Sequence, residues 1–235
     1  MTVESLRAQL EDDRTGRLDE IRRLRNLMAD MDDKAKDEFR RTLLVMMYAH
    51  FEGFCKTALV AYVLAINSLK IASGSAAPEI VAAGWTRRFM RLENPNLKCD
   101  IFRRELPDDS QLHRFARRRD FVAELPKFMN SVVDIPDDIV DMESNLTPVV
   151  LRKNLFRLGL DFTIADQFAG QLDELLNRRN GICHGFDRTP VTDEIYSRVE
   201  SAAIKIMEAA MLAVVEAYAS KRYQLGENST SLSAS

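Results

Sequence analysis

Glycine (9 residues) and proline (7) are scarce in this chain of 235 residues. Both residues punctuate turns, so their scarcity argues against a fold of short strands and tight loops. Cysteine occurs three times, at Cys55, Cys99 and Cys183, with no Cys-x-x-Cys pair. An odd number at wide spacing speaks against a disulfide framework and fits reduced thiols in cytosol. His50, His113 and His184 are the only histidines that could join them as metal ligands, and their scatter argues against a structural zinc site. Positive charge is not in surplus either. The net charge of −3 excludes a globally basic nucleic-acid-binding domain, which leaves any contact with RNA to a local patch. The opening Met1-Thr2-Val3-Glu4-Ser5 lacks the basic-then-apolar order of a signal peptide. The longest apolar stretch, Ala58 to Leu69, is too short to span a bilayer, and the C-terminal one is broken by Lys205, Glu208 and Glu216. The expectation is a cytoplasmic protein with no membrane contact.

What the chain has in abundance is Ala, Leu, Glu, Arg and Met, the strong helix formers, in a composition 46% apolar and 29% charged. This predicts an all-α helical bundle. Its extent is one domain over residues 1–225, followed by a disordered tail over 226–235. A polar helix runs from Val3 to about Met31 on a sparse stripe of Leu6, Leu10, Leu18, Ile21 and Leu24. A central helix from Asp32 to about Leu69 carries Leu44, Met47, Tyr48, Phe51, Cys55, Ala58 and Tyr62 at steps of three and four. Pro78 starts a helix reaching about Leu92, and Asn94-Pro95-Asn96 breaks the chain after it. Between Trp85 and Arg119 ten Lys/Arg outnumber five acids, whereas Asp134 to Glu143 holds five acids and no base and reads as an exposed loop. Asn145-Leu146-Thr147-Pro148 opens a short helix to Leu158, Gly159 ends it, and helices follow from Ile164 to Cys183 and from Val191 to Arg222.

The informative conflict is at Arg179. On the wheel of the helix ending at Cys183, Ile164, Phe168, Leu172, Leu175 and Leu176 form one apolar face, and Arg179 falls near its middle. A guanidinium left unpaired there costs several kcal/mol, so it needs a carboxylate, a subunit interface or an anion-binding cleft. His184 follows five residues later, about 140° around a straight helix. Convergence of the two then requires unwinding near Gly181 or Gly185, or two copies of the chain. An imidazole can move protons and a guanidinium can neutralise charge on a phosphoryl oxygen. RNA cleavage needs both, and the 2′-hydroxyl supplies the nucleophile without a metal. The alternative is structural: Arg179 in a buried ion pair and His184 capping a helix.

The stretches SNLTPVVLRKNLFRLGLDF and LDELLNRRNGICHG, between Ser144 and Gly185, and MMYAHFEGFCK, Met46 to Lys56, resemble the HEPN superfamily. Within it they resemble the MAE-type HEPN-like nucleases of prokaryotic toxin–antitoxin and defence systems. The resemblance implies a bundle of about four core helices plus extra ones, and a homodimer whose two motifs line a shared cleft. It also implies metal-independent cleavage of RNA to 2′,3′-cyclic phosphates, with no cofactor and with an antitoxin or defence-system protein as a further partner. Arg179 and His184 match the nuclease motif, and Asn180 matches the polar residue after the Arg. The family's tyrosine two residues beyond the His is replaced by Phe186, which puts modification at that position in doubt. Glu52, in the HFEGF context, could orient Arg179 or accept a proton. Arg178, Arg117, Arg118 and Arg119 are candidate contacts to the RNA backbone, against the alternative of a solvated helix face. A non-catalytic module binding a protein or nucleotide is the rival reading. Trp85 and Phe89 fit a core better than a base-stacking platform, His50 fits a satisfied histidine, and Gly53 suggests close helix packing.

Overall fold

Side chains at helix starts account for most of the boundaries seen in the computed structural model, which describes residues 1–226. Thr2 and Ser5 close a reciprocal capping box at the head of α1 (Val3–Asn26). Pro78 opens α3 (Pro78–Gly84), Asp109 caps α5 (Ser110–Asn130), Thr147 and Pro148 start α6 (Pro148–Arg157), and Thr192 caps α8 (Asp193–Ala219). The remaining helices are α2 (Asp33–Ser68), α4 (Thr86–Glu93) and α7 (Ala169–Cys183). Among the described residues there is no strand, only two isolated bridges, and the fold is all-α. The expected tail, apart from Gly226, lies outside the described residues.

Contacts group the chain into two compact units. The first comprises residues 1–65 and 137–221, the second residues 66–136 and 222–226 of those described. In the first unit α8 is the central apolar element, burying Tyr196, Val199, Ile206, Met207 and Val214 among others. Both α1 and α7 pack on it. The buried residues are Leu6, Leu10 and Ile21 on α1, and Leu172, Leu175 and Leu176 on α7. Each such side chain stabilises the fold by about 1.5–3 kcal/mol relative to exposure. Helix α2 contributes Leu44, Met47, Tyr48, Phe51, Phe54 and Cys55 to the core. By length and composition α2 could cross a membrane, with a mean hydropathy of 1.3 over its most apolar window, a helical length that the run from Ala58 to Leu69 alone did not reveal. More than half of that window (56%) is buried inside the protein, as expected of a core helix.

In the second unit Trp85, Phe89, Phe121 and Phe128 make one aromatic cluster between α4 and α5. The indole N–H of Trp85 donates to Ser73 Oγ at 3.0 Å. Buried His113 accepts the Cys99 N–H at 3.1 Å through Nδ1, and its Nε2 lies 2.9 Å from the Leu106 carbonyl.

The expected helix from Pro78 to Leu92 is two helices. A Cβ on Gly84 would stand 3.2 Å from Val133 Cγ1, and this close approach accompanies the break at Trp85. The helix expected from Ile164 begins at Ala169, after a short 3-10 turn over Phe162–Ala165. The acidic loop is less exposed than its charge suggests: Ile135 and Val140 are buried. Asn67 bonds the backbone of Ile135 through both its amide groups. At Gly53 the close neighbour is the guanidinium of Arg17, 2.6 Å from where a Cβ would lie, and not a helix backbone.

Candidate active site

Continuing the buried face of α7 by one turn from Leu175 and Leu176 reaches Arg179, which is half-buried. Its guanidinium carbon lies 4.1 Å from the centroid of the Tyr48 ring, and Nη2 donates to Asn145 Oδ1. Its Nε is buried without a hydrogen-bond acceptor, and among the described residues Arg179 forms no ion pair with a carboxylate. A π face and a neutral amide position the group and leave its charge uncancelled.

Tyr48 and Glu52 are one helical turn apart on α2. The Tyr48 hydroxyl donates to Glu52 Oε2 at 2.6 Å and accepts the Leu146 N–H at 2.7 Å. The same N–H approaches Glu52 Oε2 at 2.9 Å. Burial pushes the phenol up to about 12, the Glu52 hydrogen bond adds to this, and Arg179 opposes it. The phenol therefore keeps its proton, pointed at Glu52, throughout the physiological range. Glu52 reaches Arg179 through Tyr48 and forms no ion pair with it.

Asn145 follows two non-glycine residues in the left-handed region, Glu143 at φ 47° and Ser144 at φ 69°. That conformation costs each residue about 1–2 kcal/mol. Buried Asn154 on α6 holds the segment, accepting the Asp141 N–H at 3.0 Å and donating to the Asp141 carbonyl at 2.7 Å. Thr147 caps α6 through the Val150 N–H at 3.1 Å, so the Asn145 amide is left for Arg179.

The far end of the motif is built by backbone. His184 is the C-cap of α7 (φ −88°, ψ 0°) and Gly185 has φ 75°. The Phe186 N–H donates to the Gly181 carbonyl at 2.9 Å and the Gly185 N–H to the Ile182 carbonyl at 3.1 Å, the two bonds of a Schellman motif. Gly185 provides the left-handed residue this motif requires. A Cβ on Gly181 would meet Asp187 Cβ at 2.7 Å, so only glycine lets the turn close. The helix thus ends just where the sequence required unwinding. His184 is exposed, and its ring stacks against Phe186 with centroids 6.1 Å apart and planes at 28°. Phe186 itself is 87% exposed.

Arg179, Glu52, Tyr48 and Asn145 are therefore one connected group, while His184 and Asn180 stand at the helix end with no side-chain hydrogen bond among the described residues. Arg178 is engaged with Glu174 at 3.2 Å and lies 4.0 Å from Asp187. Arg117, Arg118 and Arg119 belong to α5 in the second unit. Arg117 donates to the Leu92 and Leu97 carbonyls, both at 2.9 Å, Arg119 pairs with Asp120 at 2.6 Å, and Arg118 is exposed. No group of three or more His, Cys, Asp or Glu that could hold a metal occurs among the described residues. Tyr48 and Asn145 are the residues that sequence reasoning missed as site members. Tyr48 read as one of the central helix's stripe residues, and Asn145 as a helix cap. The available signal was that Arg179, on an apolar face, had to find polar company.

An all-α protein with Arg-x4-His drawn across a capped helix end has the outline of the HEPN superfamily. The model of the RiboL-PSP-HEPN family matches residues 12–212, and the chain belongs to that family. Comparison with curated proteins and with solved structures found no match.

Proposed function

We propose that the protein is a metal-independent endoribonuclease acting on single-stranded or looped RNA. The observation that supports this best is the half-buried guanidinium of Arg179, held by a tyrosine face and an amide and, among the described residues, in no ion pair with a carboxylate. Such a group is ready for a phosphate. In the proposed reaction the 2′-hydroxyl gives its proton to an imidazole and the 2′-oxygen attacks the adjacent phosphorus. The P–O5′ bond breaks and the 5′-oxygen takes a proton. The products are a 2′,3′-cyclic phosphate and a 5′-hydroxyl. Arg179 neutralises the phosphorane-like transition state, His184 moves the proton, Asn180 orients the phosphate or the ring, and Glu52 fixes Tyr48 beneath Arg179. Arg178, Arg117, Arg118 and Arg119 are the proposed RNA-backbone contacts. Of these, Arg118 has the fewest competing bonds.

One imidazole per motif, that of His184, suits a homodimer in which the two copies share a cleft and supply base and acid. A cytoplasmic setting in a toxin–antitoxin or defence system, as in MAE-type relatives, with a neutralising protein partner, completes the proposal. Incubating wild-type protein and the His184→Ala and Arg179→Ala variants with total RNA in EDTA tests it. Wild type should yield cyclic-phosphate ends and both variants none while remaining folded. Cleavage that survives in both variants, or that requires a divalent metal, overturns the mechanism. A non-catalytic binding module is the second reading, favoured by the lack of any hydrogen bond between His184 and Arg179 within one chain. Binding without product in the same assay selects it.

A further inference from the structure

The second unit contains a cavity of about 340 Å³ between α4, the segment around Leu97 to Ile101, and α5. Its size is at the lower end of ligand pockets, about 300–1,000 Å³, which suits one small molecule and not a helix or strand. The lining combines three chemistries. Leu97, Ile101 and the ring of Phe121 supply an apolar wall. Arg87 and Arg91, one turn apart on α4, are exposed at it, and among the described residues neither forms an ion pair or hydrogen bond. Glu124, one turn from Phe121 on α5, is a carboxylate that is likewise unpaired among the described residues. The other charged groups of the lining have partners: Arg117 on backbone carbonyls, Arg119 with Asp120, Lys98 with Asp108 at 4.0 Å, Asp100 with Arg103 at 3.3 Å, and Arg88 over the Phe128 ring at 4.3 Å. The two free guanidiniums and the free carboxylate thus stand apart from the bonds that hold the fold together.

A purely apolar acid would satisfy the wall and the arginines but would offer no donor to Glu124, which is exposed at the rim of the cavity. A ligand matching all three carries an anion, a flat face and N–H donors together. We infer that this cavity binds one nucleoside monophosphate unit, its phosphate on Arg87 and Arg91, its base against Phe121 and the base's N–H donors on Glu124. Guanine is preferred, because two adjacent N–H donors meet both oxygens of a carboxylate. Uracil offers one N–H flanked by two carbonyl oxygens that the same carboxylate repels. A free nucleotide and a nucleotide within an RNA chain present the same groups.

Trp85 is the chain's single tryptophan, with its ring centroid 6.3 Å from that of Phe121, so its emission reports occupancy of the cavity. The full chain is titrated with GMP, UMP, inorganic phosphate and decanoate, with calorimetry alongside. GMP should saturate with Kd below about 1 mM, while UMP and phosphate should bind about tenfold or more weakly, each lost charge-assisted bond accounting for roughly that factor. The exposed pair Arg87→Ala/Arg91→Ala should weaken GMP about tenfold or more with an unchanged melting curve. Glu124→Gln should erase the preference for GMP over UMP, a readout independent of the arginine variant's folding. A 2′-O-methyl oligonucleotide with a terminal guanosine phosphate, tested on the Arg179→Ala background, separates the two sources. Competition with GMP assigns the cavity to RNA, and failure to compete assigns it to the free nucleotide. The inference is overturned if neither GMP nor the oligonucleotide binds saturably, if their affinity is the same in the double arginine variant, or if decanoate binds where GMP does not.

Discussion

Replacing Tyr48 separates the two things the residue does for Arg179. Tyr48→Phe keeps the ring under the guanidinium but removes a hydroxyl that donates to Glu52 and accepts from Leu146. The Leu146 N–H retains Glu52 Oε2 at 2.9 Å, so the net loss is one hydrogen bond to a charged acceptor, about 1.5–3 kcal/mol. In a chain of this size that lowers Tm by about 3–12 °C. Tyr48→Leu removes the π face as well, and with it a cation–π attraction of about 0.5–2 kcal/mol. If the ring positions Arg179 for the transition state, that range corresponds to a further 2- to 30-fold loss in rate, roughly, for Leu relative to Phe. Single-turnover cleavage of a labelled single-stranded RNA, with thermal melts read by circular dichroism, measures both effects. Equal losses of activity in Phe and Leu would refute the reasoning, because positioning would then run through the Glu52 hydrogen bond and not through the ring.

Gly181→Ala forces a Cβ against Asp187 Cβ, and neither atom is the free end of a side chain. It should destabilise by about 1–3 kcal/mol, as overpacking does, and cut cleavage more than Gly185→Ala, whose open surroundings leave only the left-handed φ to strain; Tm and single-turnover rates check the order. Ser144→Gly relieves a left-handed residue at some entropic cost. The expected net gain is about 0.5–1 kcal/mol in urea unfolding, accompanied by weaker positioning of Asn145 and a lower cleavage rate. Burial holds the His50 imidazole below its ordinary value, overcoming the favourable Glu20 carboxylate at 3.5 Å. The unfolded chain then binds the proton more readily, so stability is complete above about pH 6.5 and declines as pH falls toward the depressed folded value. His50→Gln should flatten that part of the stability–pH curve, and an unchanged slope would show that another group is responsible.

How far the sequence could be read depended on whether a signal was local. Thr147 with Pro148 and Gly159 marked helix ends through bonds to their own neighbours, and those ends lie close to where they were expected. Arg179 was legible because a charge on an apolar wheel is a contradiction within one helix. Its partners were not, since Tyr48 looks like any stripe aromatic until the Leu146 N–H, nearly a hundred positions away, arrives at its hydroxyl. Asn145 and Thr147 compete for the same capping role, and only the three-dimensional turn decides that Thr147 takes it. The break at Trp85 depends on Val133 approaching Gly84, and the burial of Ile135 and Val140 accompanies bonds from distant Asn67 to Ile135 and from Asn154 to Asp141. Neither leaves a trace in the local pattern.

The Schellman turn leaves the two ends of the motif unequally held. Arg179, the motif's first residue, is held by a ring and an amide, while His184, its last, follows a backbone turn, its ring stacked on exposed Phe186 and without a side-chain hydrogen bond among the described residues. An arriving phosphodiester would find an anchored cation and an imidazole still free to choose its rotamer. Ordering of that ring, visible as a change in its proton NMR line width on adding a non-cleavable RNA, would be an early sign of occupancy, well before any bond is cut.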